Sequence, residues 1–189
     1  MSIRQRKQEI RKECLSWRES LSEEQIRKRS HRIIDTLRSG PELSEAKRIH
    51  CYLPIPGRGE VDITTLVASL LGPEKKVIVP RISASGQELN HYLLEEMAAL
   101  KPNSWGIPEP VGGKQVSASY PDLILVPVVA ADREKNRIGY GKGYYDRFLA
   151  QTDAKKIGLL YRECLLAEEL PTEPFDIPLD LLVTDEGIF

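Results

Sequence analysis

Asp122-Leu-Ile-Leu-Val-Pro-Val-Val129 is apolar at every position after its first. A strand with one wet face alternates, so an unbroken apolar run reads as a strand covered on both faces, as in a parallel sheet between two helical layers. Shortly after it comes Arg137-Ile-Gly-Tyr-Gly-Lys-Gly-Tyr-Tyr-Asp-Arg-Phe-Leu149, a glycine-rich loop giving way to a helical pattern over Tyr144 to Gln151. Strand, glycine loop and helix, in that order, place a ligand beyond the carboxyl end of the strand.

Working outward, the same grammar recurs on both sides. Ile49, Cys51 and Leu53 alternate with polar neighbours as a first strand. Asp62 caps a helix from Ile63 to Leu71 that Gly72-Pro73 stops, Val77-Ile78-Val79 is a short buried strand, and a less regular stretch runs through His91-Tyr92-Leu93-Leu94. Downstream, a strand is expected at Ile157 to Tyr161, a helix at Cys164 to Leu170 and a strand at Leu181 to Val183. The chain opens with two helices. The first lies around Ile3 to Glu19, and the second starts at the capping box Ser22-Glu-Glu-Gln25, carries Ile26, Ile33, Ile34 and Leu37 on one face, and stops at Gly40-Pro41. The expected architecture is one domain over residues 1–189, an α/β fold: a three-layer α/β/α sandwich with a mostly parallel sheet, preceded by two N-terminal helices.

Composition narrows the function classes. With 189 residues, 41% hydrophobic and 29% charged, the chain suits a single globular core. Its longest apolar run, Leu123 to Ala131, is too short for a bilayer, and the first residues are charged where a secretory signal is apolar, so the cytoplasm is the expected location, with no membrane partner. Cys14, Cys51 and Cys164 form no CxxC, and His31, His50 and His91 share no ligand spacing with them, which points to reduced cysteines and no structural zinc. There is no GxSxG nucleophile elbow. The net charge of -1 argues against a nucleic-acid surface. Charge is uneven, however: residues 1–32 hold ten Lys or Arg against five Asp or Glu, net +5, leaving 17 against 23, net -6. Lys7 and Arg11 lie four apart and share a helix face, either as a solvated face or as a grip on a small polyanion.

The glycine loop carries the chemistry. Gly139, Gly141 and Gly143 let the backbone take positive φ and approach a ligand, so N–H groups can converge on phosphate oxygens while Arg137 and Lys142 add full charge. The helix that follows turns its N-terminus to the same place. Asp146 is suited to a divalent cation shared with the phosphates. A plain tight corner needs no lysine between its glycines and no Tyr-Tyr-Asp after them. The string is neither a Walker A loop nor a GxGxxG fingerprint, so a different nucleotide or phosphate pocket is implied.

These residues resemble the C-terminal motif of the 5-formyltetrahydrofolate cyclo-ligase (5,10-methenyltetrahydrofolate synthetase) family. Lys7-Gln-Glu-Ile-Arg11 resembles its N-terminal Lys-x-x-x-Arg, Tyr52-Leu53 with Glu60-Val-Asp62 its substrate-side segment, and Val79-Pro-Arg81 a recurring strand end. Ser104-Trp-Gly-Ile-Pro-Glu-Pro110 and Pro178-Leu-Asp-Leu-Leu-Val-Thr-Asp185 fit as well. The stretch Pro54-Ile-Pro-Gly-Arg-Gly59 is slightly longer than the pattern.

The resemblance implies ATP- and magnesium-dependent closure of 5-formyltetrahydrofolate to 5,10-methenyltetrahydrofolate, with ATP as co-substrate, Mg2+ as cofactor, and ADP and phosphate released. It assigns Lys142 and Arg137 as catalytic. ATP is expected on Lys7, Arg11, Arg137, Ile138, Gly139, Tyr140, Gly141, Lys142, Gly143, Tyr144 and Tyr145. The folate is expected on Leu53, Glu60, Tyr140, Gly141, Lys142, Gly143 and Tyr144, with Glu60 against the pterin. The metal is expected on Asp146 and Asp180, although Asp176 and Asp185 lie close to the latter. Trp105 can wall the folate pocket or simply anchor a loop. A monomer acting on small molecules is expected. Two other readings stay open: a non-catalytic α/β sensor of a phosphorylated small molecule, and a relative of the family with a different second substrate.

Overall fold

The computed structural model describes residues 2–104 and 106–189; Trp105 lies outside the described residues. Helices α1 (Ile3–Glu19) and α2 (Glu23–Ser39) each open on a capping box, Ser2 with Gln5 and Ser22 with Gln25, in which the serine oxygen and the glutamine amide satisfy backbone N–H groups reciprocally. Gly40 ends α2, and one further turn, α3 (Pro41–Glu45), begins on a proline.

The strands are β1 (Arg48–His50), β2 (Lys76–Ile82), β3 (Leu89–Leu94), β4 (Leu100–Pro102), β5 (Pro108–Pro110), β6 (Gln115–Val116), β7 (Leu123–Pro127), β8 (Ala130–Ala131), β9 (Arg137–Ile138), β10 (Lys155–Leu159), β11 (Leu181–Thr184) and β12 (Gly187–Ile188). Helix α4 (Thr64–Leu70) joins β1 to β2, and α5 (Tyr144–Leu149) precedes β10. Eight strands form one sheet in the order β12-β11-β10-β7-β1-β2-β3-β6. The five from β11 to β2 are parallel, and β12, β3 and β6 add antiparallel edges. The pairs β4-β5 and β8-β9 are separate ribbons.

The unbroken apolar run of β7 is explained by its two faces. Leu123 and Leu125 pack with Ile33, Leu37, Leu66 and Val67 of α2 and α4, whereas Ile124 and Val126 pack with Ile10 and Cys14 of α1 and with Phe148 and Leu149 of α5. Burial of each large aliphatic side chain contributes about 1.5–3 kcal/mol. The three-layer α/β/α sandwich is therefore as expected, and α1 and α2 each belong to one of its outer layers.

Several elements differ in extent. Strand β1 covers Arg48–His50, with the Cys51 N–H still donating to Ile78 O at 2.8 Å before the chain leaves into a loop, and β10 covers Lys155–Leu159. Helix α4 starts at Thr64 with Ile63 as its N-cap, so Asp62 lies one residue ahead of the cap, where its Oδ1 accepts from the Thr64 N–H at 2.9 Å. The expected helix at Cys164 to Leu170 is absent, and only a short 3-10 turn, Arg162–Cys164, forms. Its backbone is spent on a neighbour instead: Leu166 N–H donates to Ala131 O at 2.8 Å and Leu170 N–H to Asp132 Oδ2 at 2.8 Å. No helix among the described residues is long and apolar enough to cross a membrane. Cys14, Cys51 and Cys164 are free and buried.

Candidate active site

From β1 the chain passes to β2 on one side, whereas β7 leads to β10 and β11 on the other. Strand order reverses between β1 and β7, and the crevice beyond their carboxyl ends is where an open α/β sheet accepts ligands. Two loops meet there: Cys51 to Glu60 after β1, and the glycine loop after β9.

Gly141 and Gly143 take positive φ, 85° and 68°, while Gly139 does not. Helix α1 presses on this loop. Arg11 Nε donates to Gly139 O at 2.7 Å, and a Cβ on Gly141 would stand 3.2 Å from the Arg11 guanidinium carbon. Burial pulls the Arg11 pKa down. Tyr144 donates to Gly86 O at 2.8 Å, and Arg147 donates to Lys142 O at 3.0 Å and to Gln87 O, which pins the loop to the turn after β2. Arg147 was not anticipated. The Lys142 side chain is exposed and has no side-chain partner among the described residues, so its charge is free to meet a ligand. With only six residues, α5 adds little dipole, and loop amides and side chains carry the positive field.

Next to the loop, Arg137 is buried and its Nη2 meets Asp146 Oδ1 at 2.6 Å, while Nη1 donates to Ile177 O. Burial lowers the Arg137 pKa, and the Asp146 carboxylate opposes that effect. The predicted phosphate clamp and the predicted metal ligand are thus each other's counter-ions. Lys7 pairs with Glu173 at 2.9 Å and with Asp176. Burial pulls the Lys7 pKa down, but the bonds to Asp176 and Glu173 outweigh it and the net shift is upward. Lys7 and Arg11 do lie on one face of α1, turned to this corner.

Asp180 is not brought to Asp146. It directly precedes β11, and its Oδ2 accepts from Lys156 N–H at 2.6 Å, tying the amino ends of β11 and β10 together. Asp122 does the same ahead of β7, accepting from Arg48 N–H at 3.0 Å. The ligand crevice lies at the opposite ends of the strands. Asp176 is the acidic residue on the Asp146 side: it adds to the charge around Arg137, and the next N–H, of Ile177, points at Asp146 Oδ1 from 3.5 Å. Among the described residues no three His, Cys, Asp or Glu converge as a metal centre.

Glu60 is buried, and its oxygens are engaged. Oε2 accepts from Ile55 N–H at 2.6 Å and Oε1 from the Tyr140 hydroxyl at 2.9 Å. Burial pushes its pKa up, while the Ile55 N–H, Arg18 and the Tyr140 hydroxyl pull it back. Tyr161 holds the Glu60 carbonyl at 3.0 Å, and Tyr52 the Val61 carbonyl at 2.6 Å. A cavity of about 10 Å3 lies between Arg18, Tyr52, Glu60, Val128 and Tyr161, room for about one water.

Three expected contacts are turned inward. The Leu53 and Ile138 side chains lie in the core. Tyr145 also points inward, one helical position past Tyr144; its hydroxyl is buried with no partner among the described residues, and burial raises its pKa. Arg18 was missed although a signal existed: it lies eleven residues, close to three turns, after Lys7, and so continues the Lys7–Arg11 face.

The chain matches the family described as the 5-formyltetrahydrofolate cyclo-ligase family over residues 3–185. It is 33% identical over 189 residues to 5-formyltetrahydrofolate cyclo-ligase of Haemophilus influenzae, covering 95% of this chain and 98% of that protein. The solved structure of Aquifex aeolicus 5,10-methenyltetrahydrofolate synthetase superposes with a TM-score of 0.85 at 41% identity, covering 96% of this chain and 91% of that one. That of a 5,10-methenyltetrahydrofolate synthetase from Mycoplasma pneumoniae gives 0.75 at 25% identity, covering 95% and 98%. With the family match running over residues 3–185 and the fold shared over nearly the whole chain, this protein belongs to the 5-formyltetrahydrofolate cyclo-ligase family, and it is an enzyme.

Proposed function

We propose that the protein uses ATP to close 5-formyltetrahydrofolate to 5,10-methenyltetrahydrofolate by phosphorylating the formyl oxygen. A formamide carbon is a weak electrophile, and hydroxide is a poor leaving group. Transfer of the terminal phosphoryl group to that oxygen releases ADP. The neighbouring ring-closing nitrogen then forms its bond to carbon as the oxygen departs with phosphate. The protein's task is to hold donor and acceptor in line and to spread the transferring charge.

Lys142 and the amides of Gly139 to Gly143 cradle the phosphates, and Arg137 joins them by exchanging Asp146 for a phosphate oxygen. Lys7 and Arg11 bring the positive face of α1 to the nucleotide. Magnesium would be held by Asp146 together with Asp176, two hard oxygen donors that leave the remaining positions to phosphate and water, and it supplies charge neutralisation there. Glu60 reads the pterin. Each carboxylate oxygen accepts twice, so beside Ile55 and Tyr140 two acceptor positions remain for ring and amino N–H groups. The loop from Pro54 to Gly59 must shift to admit them, since the cavity holds no more than a water.

The observation that carries this reading is the Tyr140–Glu60 bond of 2.9 Å, which joins the cationic glycine loop to a buried carboxylate at the switch point of the sheet. The test is incubation of pure protein with 5-formyltetrahydrofolate, ATP and Mg2+, watching for the absorbance of the methenyl product. Product is expected only with all three present. Full turnover in EDTA overturns the magnesium requirement, and no product under any condition overturns the substrate. Glu60→Gln should weaken folate binding by about 2–3 kcal/mol and leave nucleotide binding nearly intact.

A further inference from the structure

Among the described residues Arg18 is the most completely enclosed cation near the site, with its side chain 3% exposed, yet none of their carboxylates hydrogen-bonds to it. Its donors go to backbone and hydroxyl oxygens instead. Nε reaches Gly59 O at 3.0 Å, Nη2 reaches Arg58 O at 3.0 Å and the Tyr140 hydroxyl at 2.9 Å, and Nη1 faces Val128 O at 3.5 Å. The nearest opposite charge is Glu60, with Oε1 at 3.9 Å. One guanidinium thereby touches the loop after β1, the residue following β7 and the glycine loop. The backbone repeats the attachment: Gly59 has φ +57°, and a Cβ there would stand 2.6 Å from the Arg18 carbonyl oxygen. No other residue type fits at Gly59 without moving α1.

We propose that Arg18 is a positioning residue for the folate side of the site: from α1 it fixes the Pro54–Gly59 loop, keeps Glu60 as a carboxylate, and registers Glu60 against Tyr140 of the glycine loop. This rests on the reading of Glu60 as the pterin anchor. The groups facing Glu60 show why one arginine decides its charge. Tyr140, Tyr52 and Tyr145 present uncharged phenols, of which Tyr140 donates to the Glu60 carboxylate, and Arg58 sits on an exposed side chain of Glu60's own loop. Among the described residues only Arg18 brings a full positive charge to Glu60 within the buried volume. Lysine cannot replace it, because a single ammonium cannot span three carbonyls and a hydroxyl held by a planar fork.

The test uses ligand-free protein labelled at glutamate carboxyl carbons, with Glu60 assigned by comparison with Glu60→Gln. In Arg18→Met the Glu60 titration midpoint should rise by on the order of one pH unit, whereas in Arg18→Lys it should rise less. In parallel, Arg18→Lys should raise the folate KM about tenfold or more while the ATP KM stays within about twofold. In an Glu60→Gln background the Arg18 change should add little further loss of folate affinity. If Arg18→Met does not fold, Arg18→Lys carries both arms. An unmoved Glu60 titration, or equal rises in both KM values, overturns the role of Arg18. If Glu60→Gln binds folate as the parent does while the titration still moves with Arg18, the pterin reading fails and the support of Glu60 by Arg18 stands.

Discussion

Arg137 Nη2 and Asp146 Oδ1 stand 2.6 Å apart, a buried guanidinium closed off by a partly exposed carboxylate beside the glycine loop. In the proposed reaction, a phosphate that takes Arg137 releases Asp146, whose carboxylate would then serve as a cation ligand. On that reading nucleotide and divalent-cation binding are coupled by the exchange, because neither charge is left unpaired in a low-dielectric site.

Asp146→Asn should therefore act on stability as well as on catalysis. It leaves Arg137, with its side chain 4% exposed, without its counter-charge, at a cost of about 1–3 kcal/mol, and it should weaken the Mg2+ dependence of ATP binding. Urea unfolding and ATP titrations with and without Mg2+ measure the two effects. A variant as stable as the parent contradicts the exchange.

Lys142→Met should separate chemistry from folding. The side chain is exposed and has no partner among the described residues, so stability should change by less than about 0.5 kcal/mol. Turnover should fall on the order of a hundredfold or more with little change in folate affinity. Parental turnover with only a raised ATP KM makes Lys142 a binding residue.

Asp176→Asn and Asp180→Asn should part company. The first removes a partner of Lys7 beside the nucleotide corner and should raise the ATP KM and the Mg2+ concentration needed for half-maximal rate. The second removes a clasp between amino ends of strands, so it should cost stability, about 1 kcal/mol for a hydrogen bond to a charged acceptor, and leave the Mg2+ requirement alone. The reverse pattern in a magnesium titration restores Asp180 as the ligand.

Stability should fall on mild acidification. His91 Nδ1 and His50 Nε2 meet at 3.2 Å behind Phe148, and burial depresses both pKa values, His91 to about 4 and His50 well below its ordinary value. The unfolded chain takes up these protons near pH 6.5 while the folded pair refuses them, so the unfolded state binds more protons and stability declines as pH drops from about 6.5 towards 4. Between pH 7.5 and 5.5 the loss should be about 1 kcal/mol for each histidine. Denaturant midpoints at the two pH values give the difference, and His91→Gln should remove about half of it. A pH-independent midpoint contradicts the buried neutral pair.

The central strand and the glycine loop were legible in the sequence because their signals are local. An apolar run without alternation has one explanation in β7, and alternating glycines with Lys142 between them have few. The capping box at Ser22 is local as well, whereas the one at Ser2 went unread. What the sequence could not decide was direction and partnership across the fold. Asp176 and Asp180 lie four apart in an irregular stretch, and only the start of β11 turns Asp180 to the amino ends of the sheet and leaves Asp176 with Lys7. Cys164 to Leu170 reads as helix until its N–H groups find Ala131 and Asp132. Arg18 extends the Lys7–Arg11 face in the sequence, but its partners exist only once the Pro54–Gly59 loop folds over α1. In each case the local pattern left more than one environment open, and long-range hydrogen bonds chose between them.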